Sequence, residues 1–190
     1  MSVSSVKTGA TGISLLTGNA FYDPGNFTSI ASTTVGAGGV ASFTFSSIPS
    51  TYAHLQIRAL TKSDYAGQAN INMRFNSDTG TNYAWHQFLG DGSAPASNGA
   101  VSQTLIRCIH SSNEASTFGS GVIDILDYAS TSKYKTVRVL SGYDMNGTGG
   151  YIMHRSGLWM NTGAISSITI IPESGNLAQY TSLALYGVKV

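Results

Sequence analysis

The sequence predicts an all-β protein: an antiparallel β-sandwich, jelly-roll-like, with an extended N-terminal arm. Three observations predict it. Apolar and polar residues alternate with a period of two along most of the chain after about residue 34, as half-buried strands require. Turn sequences rich in Gly, Asn, Asp and Ser punctuate that alternation, which is how short antiparallel strands are joined. No window of about 11 residues places apolar side chains at i, i+3, i+4 and i+7, so a helix would have no face to bury. Many short strands without intervening helices fold as two stacked sheets, with an up-and-down barrel as the other closure open to them.

Taken in order, Ala41, Phe43 and Phe45 alternate with Ser42, Thr44 and Ser46 until Ile48-Pro49-Ser50 ends the strand. Leu55, Ile57 and Ala59 alternate with His54, Gln56 and Arg58. Ile71, Met73 and Phe75 point one way, and Asn70, Asn72, Arg74 and Asn76 the other. Further strands are predicted around Tyr83 to Leu89, Val101 to His110, Gly121 to Tyr128, Thr136 to Tyr143, Tyr151 to Met160, Ile165 to Ile171 and Ser182 to Val190, about ten strands in all. Gly-Asp-Gly-Ser at 90 to 93, Ser-Asn-Gly at 97 to 99 and Asn-Gly-Thr-Gly-Gly at 146 to 150 read as turns,. Residues 34 to 190 form the sandwich domain on this reading.

Residues 1 to 33 read differently. Thr8-Gly9-Ala10-Thr11-Gly12, Gly18-Asn19 and Asp23-Pro24-Gly25-Asn26 break any periodicity, yet Ile13, Leu15, Leu16, Phe21, Tyr22 and Phe27 are too apolar for a solvated tail. These six residues are the candidate assembly contacts of an arm that packs on a neighbouring subunit or folds back on its own sandwich.

The 190 residues are enough for one domain,. Only 10% are charged, against roughly 25% in an average soluble domain. The net charge of +1 gives no field to gather nucleic acid or an anionic membrane,. Glycine, 22 residues, with serine and threonine fills the places of the missing charges. The single cysteine, Cys108, excludes an internal disulfide and a thiolate-built zinc site,. No apolar run reaches the length of a membrane span or a signal-peptide core, so the chain is expected to be made as a soluble intracellular product.

Motifs for chemistry are sparse. There is no Gly-x-Ser-x-Gly elbow, no Walker loop and no His-Glu-x-x-His,. Gly36-Ala37-Gly38-Gly39 precedes a strand, not a helix, and reads as a turn. His54, His86, His110 and His154 fall in different strands, without metal-ligand spacing,. Cys108 sits between Ile106 and Ile109, the ordinary place of a small buried hydrophobe. Asp124 and Asp127, three apart in one strand, point to opposite faces; a glycosidase would need two carboxylates roughly 5 to 9.5 Å apart. Asn76-Ser77-Asp78-Thr79-Gly80 and Asp144-Met145-Asn146-Gly147 have oxygen ligands near a glycine but lack further acidic ligands, so they read as Asx turns. No cofactor or metal is expected.

Ser42-Phe43-Thr44-Phe45-Ser46-Ser47-Ile48-Pro49-Ser50-Thr51-Tyr52-Ala53-His54-Leu55 and Arg74-Phe75-Asn76-Ser77-Asp78-Thr79-Gly80-Thr81-Asn82-Tyr83, with Ile123 to Ser130, Gly157 to Ile165 and the closing Leu183 to Lys189, resemble a family of tailed-bacteriophage virion proteins. The resemblance spans residues 40 to 190, and Ser4 to Gly9 is also similar. It implies a non-enzymatic virion component, described as capsid decoration, head-fibre or tail-fibre-like, assembled in the host cytoplasm. The expected partners are sister subunits in a homotrimer and other virion proteins such as the major capsid protein. A receptor-binding or glycan-binding module is the alternative. Its contacts would be Tyr65, Tyr143 and Tyr151 as stacking faces and Asp144 as a hydroxyl acceptor, carried on loops around 61 to 70, 90 to 100, 111 to 120 and 144 to 150,.

Overall fold

A computed structural model of the chain describes residues 26–112, 114–146 and 149–189, together with the backbone of two short strands nearer the N-terminus. Those two, β1 (Leu15–Thr17) and β2 (Ala20–Tyr22), pair antiparallel with Leu15 opposite Tyr22. Twelve strands follow: β3 (Phe27–Thr34), β4 (Phe43–Phe45), β5 (His54–Thr61), β6 (Ala69–Phe75), β7 (Tyr83–Gly90), β8 (Pro95–Gln103), β9 (Ile106–Ser111), β10 (Gly119–Leu126), β11 (Lys135–Asp144), β12 (Gly150–Trp159), β13 (Ile168–Pro172) and β14 (Ser182–Val188). There is no helix among the described residues.

The twelve strands form two antiparallel sheets, one in the order β3-β14-β5-β10-β11-β12-β7-β8 and one in the order β4-β13-β6-β9. Within them, β3-β14-β5-β10 and β4-β13-β6-β9 are two sets of four, and the chain visits them as a jelly roll does. It alternates between the sets through β6, stays in the smaller sheet for β9, and alternates again through β10, β13 and β14. The sandwich is therefore a jelly roll, and a barrel is excluded because both sheets keep open edges. Two hairpins, β7-β8 and β11-β12, are inserted into this path and double the width of one sheet.

Alternation places the core between the sheets. Leu55 and Ile57 of β5, Ile123 and Ile125 of β10, Val137 and Val139 of β11, and Leu183 and Leu185 of β14 all point inward. Ile71, Met73 and Phe75 of β6 and Ile168 and Ile170 of β13 meet them from the smaller sheet. Cys108 is buried with its thiol pushed up to about 12 by burial, and it packs as a hydrophobe,.

Two buried cations ride in phase with this inward set. Lys135 donates from Nζ to the carbonyls of Ser130 (2.6 Å), Lys133 (2.8 Å) and Thr162 (3.0 Å). Arg155 donates to Gln87 Oε1 and Asn70 Oδ1, each at 3.0 Å. Neither cation has a carboxylate partner in a salt bridge among the described residues.

Several boundaries differ from the sequence reading. Phe27–Thr34 is not arm but the edge strand β3, paired with β14 from Phe27 opposite Val188 to Thr34 opposite Ser182. The sandwich therefore begins near residue 27, not 34. Phe27, an expected arm contact, stands exposed with the Arg58 guanidinium 5.7 Å from its ring centre. Ser-Asn-Gly at 97 to 99 is not a turn; it lies inside β8, and the chain bends at Thr104 and Leu105, splitting the strand expected over 101 to 110. The turns at 36 to 39, 76 to 80 and 144 to 146 form as read: Gly39 N–H donates to Gly36 O, Gly80 N–H to Asp78 Oδ1, and Asn146 N–H to Asp144 Oδ1.

Candidate functional site

Two surface features gather the residues that could act. The first is the outer face of the eight-stranded sheet. Cross-strand pairing lines up Ser182, Leu60, Ser120, Gly142 and Ile152 in one row, and Ala184, Arg58, Val122, Leu140, His154 and Phe88 in the next. Small side chains at Ser182, Ala184, Ser120 and Gly142 form a floor, and Leu60, Val122, Leu140 and Ile152 rise beside it. Together they outline a shallow trough of about 950 Å³. Gly142 keeps the floor low: a Cβ there would come within 2.8 Å of the Tyr151 carbonyl oxygen. Leu140 is 57% exposed and Ile152 66%, with Phe88 close by at 60%. Arg58 is the one charged side chain in the two rows.

Sequence reasoning missed this face, although a signal was present. Val122-Ile123, Val139-Leu140 and Ile152-Met153 are adjacent apolar pairs inside alternating strands. One member of each pair enters the core and the other must stand outside, because successive side chains leave opposite faces of a strand.

The second feature is a cleft of about 580 Å³ at one end of the sandwich, lined by Gly90, Asp91, Gly92, Ser93, Tyr143, Asp144, Gly149, Gly150, Tyr151 and Ile152. Antiparallel pairing brings the ends of β5, β7, β9 and β11 and the starts of β6, β8, β10 and β12 to this same end, so the strand ends that flank the four expected contact loops gather there. Residues 95 to 100 and 119 to 120, counted with those loops from the sequence, belong to β8 and β10.

Three of the four expected receptor contacts meet in the cleft. Tyr143 is buried, however, and cannot offer a stacking face: its ring lies 5.7 Å from His110 at 16°, and burial pushes its hydroxyl up to about 12. Tyr151 is half-buried and edge-on to both His110 (5.4 Å) and Tyr143 (5.8 Å). Asp144 is exposed at the rim. The fourth, Tyr65, stands exposed on the 62–68 connection and lines no part of the cleft.

Asp91, which the sequence did not single out, faces Asp144 across the start of β12. Its Oδ1 accepts from Ser93 N–H, Ser93 Oγ and Ala94 N–H, each at 2.9 Å. The Ala94 and Ser93 amides pull its pKa down to about 2, so it is an ionised acceptor held in one orientation,.

The expected arm contact Ile13 lies outside the described residues, as do the side chains of Leu15, Leu16, Phe21 and Tyr22. Asp124 and Asp127 do not share a strand: Asp127 follows β10 in left-handed backbone (φ 49°) and pairs with Lys133, while Asp124 accepts from Gln56. The histidines are dispersed, His54 Nδ1 accepting the Asp127 N–H and His110 Nδ1 lying 3.3 Å from the Tyr143 hydroxyl. Among the described residues no three His, Cys, Asp or Glu side chains are grouped to hold a metal ion. No family model matches the chain, and no curated protein or solved structure matches it either.

Proposed function

We propose that this chain is a non-enzymatic structural subunit of a tailed-bacteriophage virion, a capsid-decoration or head-fibre type of protein displayed on the particle surface. In this reading it associates with sister copies as a homotrimer and is tied to the shell by its N-terminal segment. The observation that carries it is the outer face of the eight-stranded sheet, where large apolar side chains stand in solvent on a nearly uncharged floor. Soluble monomers seldom leave such contiguous patches uncovered. The scarcity of charge also lets copies crowd on a lattice without mutual repulsion, and the resemblance of residues 40 to 190 to virion proteins points the same way. Immunogold labelling of intact particles with antibody to this chain is expected to decorate the head surface at many sites. Particles that carry no label would overturn the proposal.

A second reading has its own observation. Asp91, Asp144 and the half-buried Tyr151 around one cleft are the groups a sugar engages, two carboxylates for its hydroxyls and an aromatic ring for its apolar face,. If the cleft contacts a host-surface glycan, Tyr151→Ala with Asp144→Asn is expected to lower binding to purified host polysaccharide at least tenfold. Binding unchanged by the double substitution, or absent from the unaltered protein, would remove this reading.

A further inference from the structure

We infer that the core between β7, β12 and the smaller sheet binds a small monovalent anion of halide type, through the Arg155 guanidinium and the Trp85 indole N–H. The inference does not depend on the assembly reading above. Buried polar groups almost always find hydrogen-bond partners, so those without a protein partner point to a bound water or ion. Among the described residues, the buried side-chain atoms of this kind are Thr28 Oγ1, Asn72 Oδ1, Trp85 Nε1 and Arg155 Nη1. The last three belong to one place. Asn72 and Arg155 are 2% exposed and Trp85 4%.

Strand pairing and side-chain contacts close a ring there. Trp85 lies opposite Gly157 and Gln87 opposite Arg155, which makes Trp85 and Arg155 diagonal neighbours on the sheet, ~7–8 Å apart. The Arg155 side chain crosses to β6, where its Nη2 donates to Asn70 Oδ1 at 3.0 Å. Asn72 is two residues further along β6 and pairs with Arg107 of β9. Arg107 leads back to β7, its guanidinium 4.8 Å from the Trp85 ring centre.

Charge selects an anion over water. Arg107 and Arg155 share one carboxylate, Glu173, and it is engaged elsewhere: Oε1 accepts from Arg107 at 2.9 Å and Oε2 from Asn70 Nδ2 at 2.8 Å. Burial keeps Cys108 a thiol and His110 a neutral imidazole at neutral pH. Arg155, drawn down to about 10 chiefly by burial, stays protonated there. Lys135, the other buried cation, has a carbonyl acceptor for each of its three N–H bonds, whereas Nη1 of Arg155 has none. A water would satisfy the free donors but leave the charge uncompensated, which is costly in a buried place. A halide ion satisfies the donors and neutralises the charge. A half-turn of the Asn72 amide presents its NH2 group as a further donor. Arg107 and Glu173, both part-exposed, form the rim through which an ion enters.

Melting temperature of the full chain is measured in sodium bromide and sodium chloride series, with sodium gluconate holding the ionic strength constant. A saturable rise with either halide is expected, because a ligand bound only by the folded state stabilises it by mass action. Bromide, a heavy atom, is also expected to quench tryptophan emission along the same curve through Trp85, since Trp159 is buried with its N–H on Asp78. Trp85→Phe keeps an aromatic ring and removes the N–H. Its half-saturating halide concentration should rise at least about tenfold, the loss of one hydrogen bond to a charged group, and the saturable quenching should disappear. Crystals grown in bromide should show an anomalous peak within hydrogen-bond reach of Arg155 Nη1 and Trp85 Nε1. Equal melting temperatures in halide and gluconate, an unchanged half-saturation in Trp85→Phe, or a water that bromide does not replace would each overturn the inference. If Trp85→Phe fails to fold, the halide and gluconate contrast and the bromide peak in the unaltered protein still decide it.

Discussion

Replacing Trp159 with alanine is expected to lower the unfolding free energy by about 4 kcal/mol. Trp159 is the last residue of β12, paired with Lys135 of β11 on one side and Tyr83 of β7 on the other. Its indole is buried, stacked 6.3 Å from the Tyr83 ring and tilted 5.5 Å from Phe75 of the smaller sheet. It therefore ties the two inserted hairpins to the opposite layer. Truncation removes the transfer energy of a large aromatic side chain and leaves a cavity that three rigid strands cannot close. It also takes from Asp78 Oδ2 the indole N–H that donates at 2.8 Å, the foremost of the bonds that hold the Asp78 carboxyl below its ordinary pKa. Trp159→Phe separates the two contributions. It keeps most of the apolar volume, and Asp78 is open enough to take water, so its cost is about 1–2 kcal/mol. Denaturant titration at one fixed subunit concentration measures both values, the concentration being held because association adds to apparent stability. A loss below about 1 kcal/mol for the alanine variant would show that the β7 and β12 end of the sandwich is not held through this ring.

The strands that the sequence made legible are those with one face in the core. β5, β10, β11 and β14 alternate because water meets one side and the opposite sheet the other,. β8 was hidden for the converse reason. Its Ser-Asn-Gly carries a turn signature, and it is largely exposed on both faces at an open edge, so no burial pattern marks it. β3 was read as arm because it too is an edge strand, with only partial burial and a register shift opposite Leu185 and Tyr186. Sheet order left no periodic trace, since alternation says which side of a strand is buried and nothing about which strand lies beside it. The loop-end cleft was half legible. The Asx turn at Asp144 and the nearby tyrosines pointed to it, but Asp91 joined them only once β7 was seen to lie next to β12. Lys135 and Arg155 show how a buried charge can be read: each keeps phase with inward residues, Val137 and Val139 for one, Met153 and Trp159 for the other.

Acidification should destabilise the fold between pH 6.5 and about pH 4, and His110 is the group responsible. Its ring is half-buried at the end of β9, stacked on Tyr143 and edge-on to Tyr151. Burial first, and then the positive charge of Arg155, lower its pKa from 6.5 to about 4; Arg107 adds to this and Glu173 opposes it. In the unfolded chain the imidazole takes up a proton as the pH falls through about 6.5, while in the folded chain it stays neutral until about pH 4. Between these values the unfolded state binds more protons, so stability is full above pH 6.5, falls as the pH drops, and levels off for this group below pH 4. A gap of this size corresponds to ~3 kcal/mol, and solvent reaching the half-buried ring reduces it to about 1–2 kcal/mol. Asp78, Asp127 and Glu173, whose carboxyls lie below their ordinary pKa, act in a separate window: their contribution is lost as the pH falls further, through their lowered folded values. His110→Gln keeps a polar side chain against Tyr143 and does not titrate. Its unfolding free energy is therefore expected to be flat from pH 6.5 to pH 4.5, whatever its absolute value, while the unaltered protein slopes. Parallel slopes for the two proteins would assign the acid sensitivity to other groups and would mean that the Tyr143 and Tyr151 rings do not shield His110.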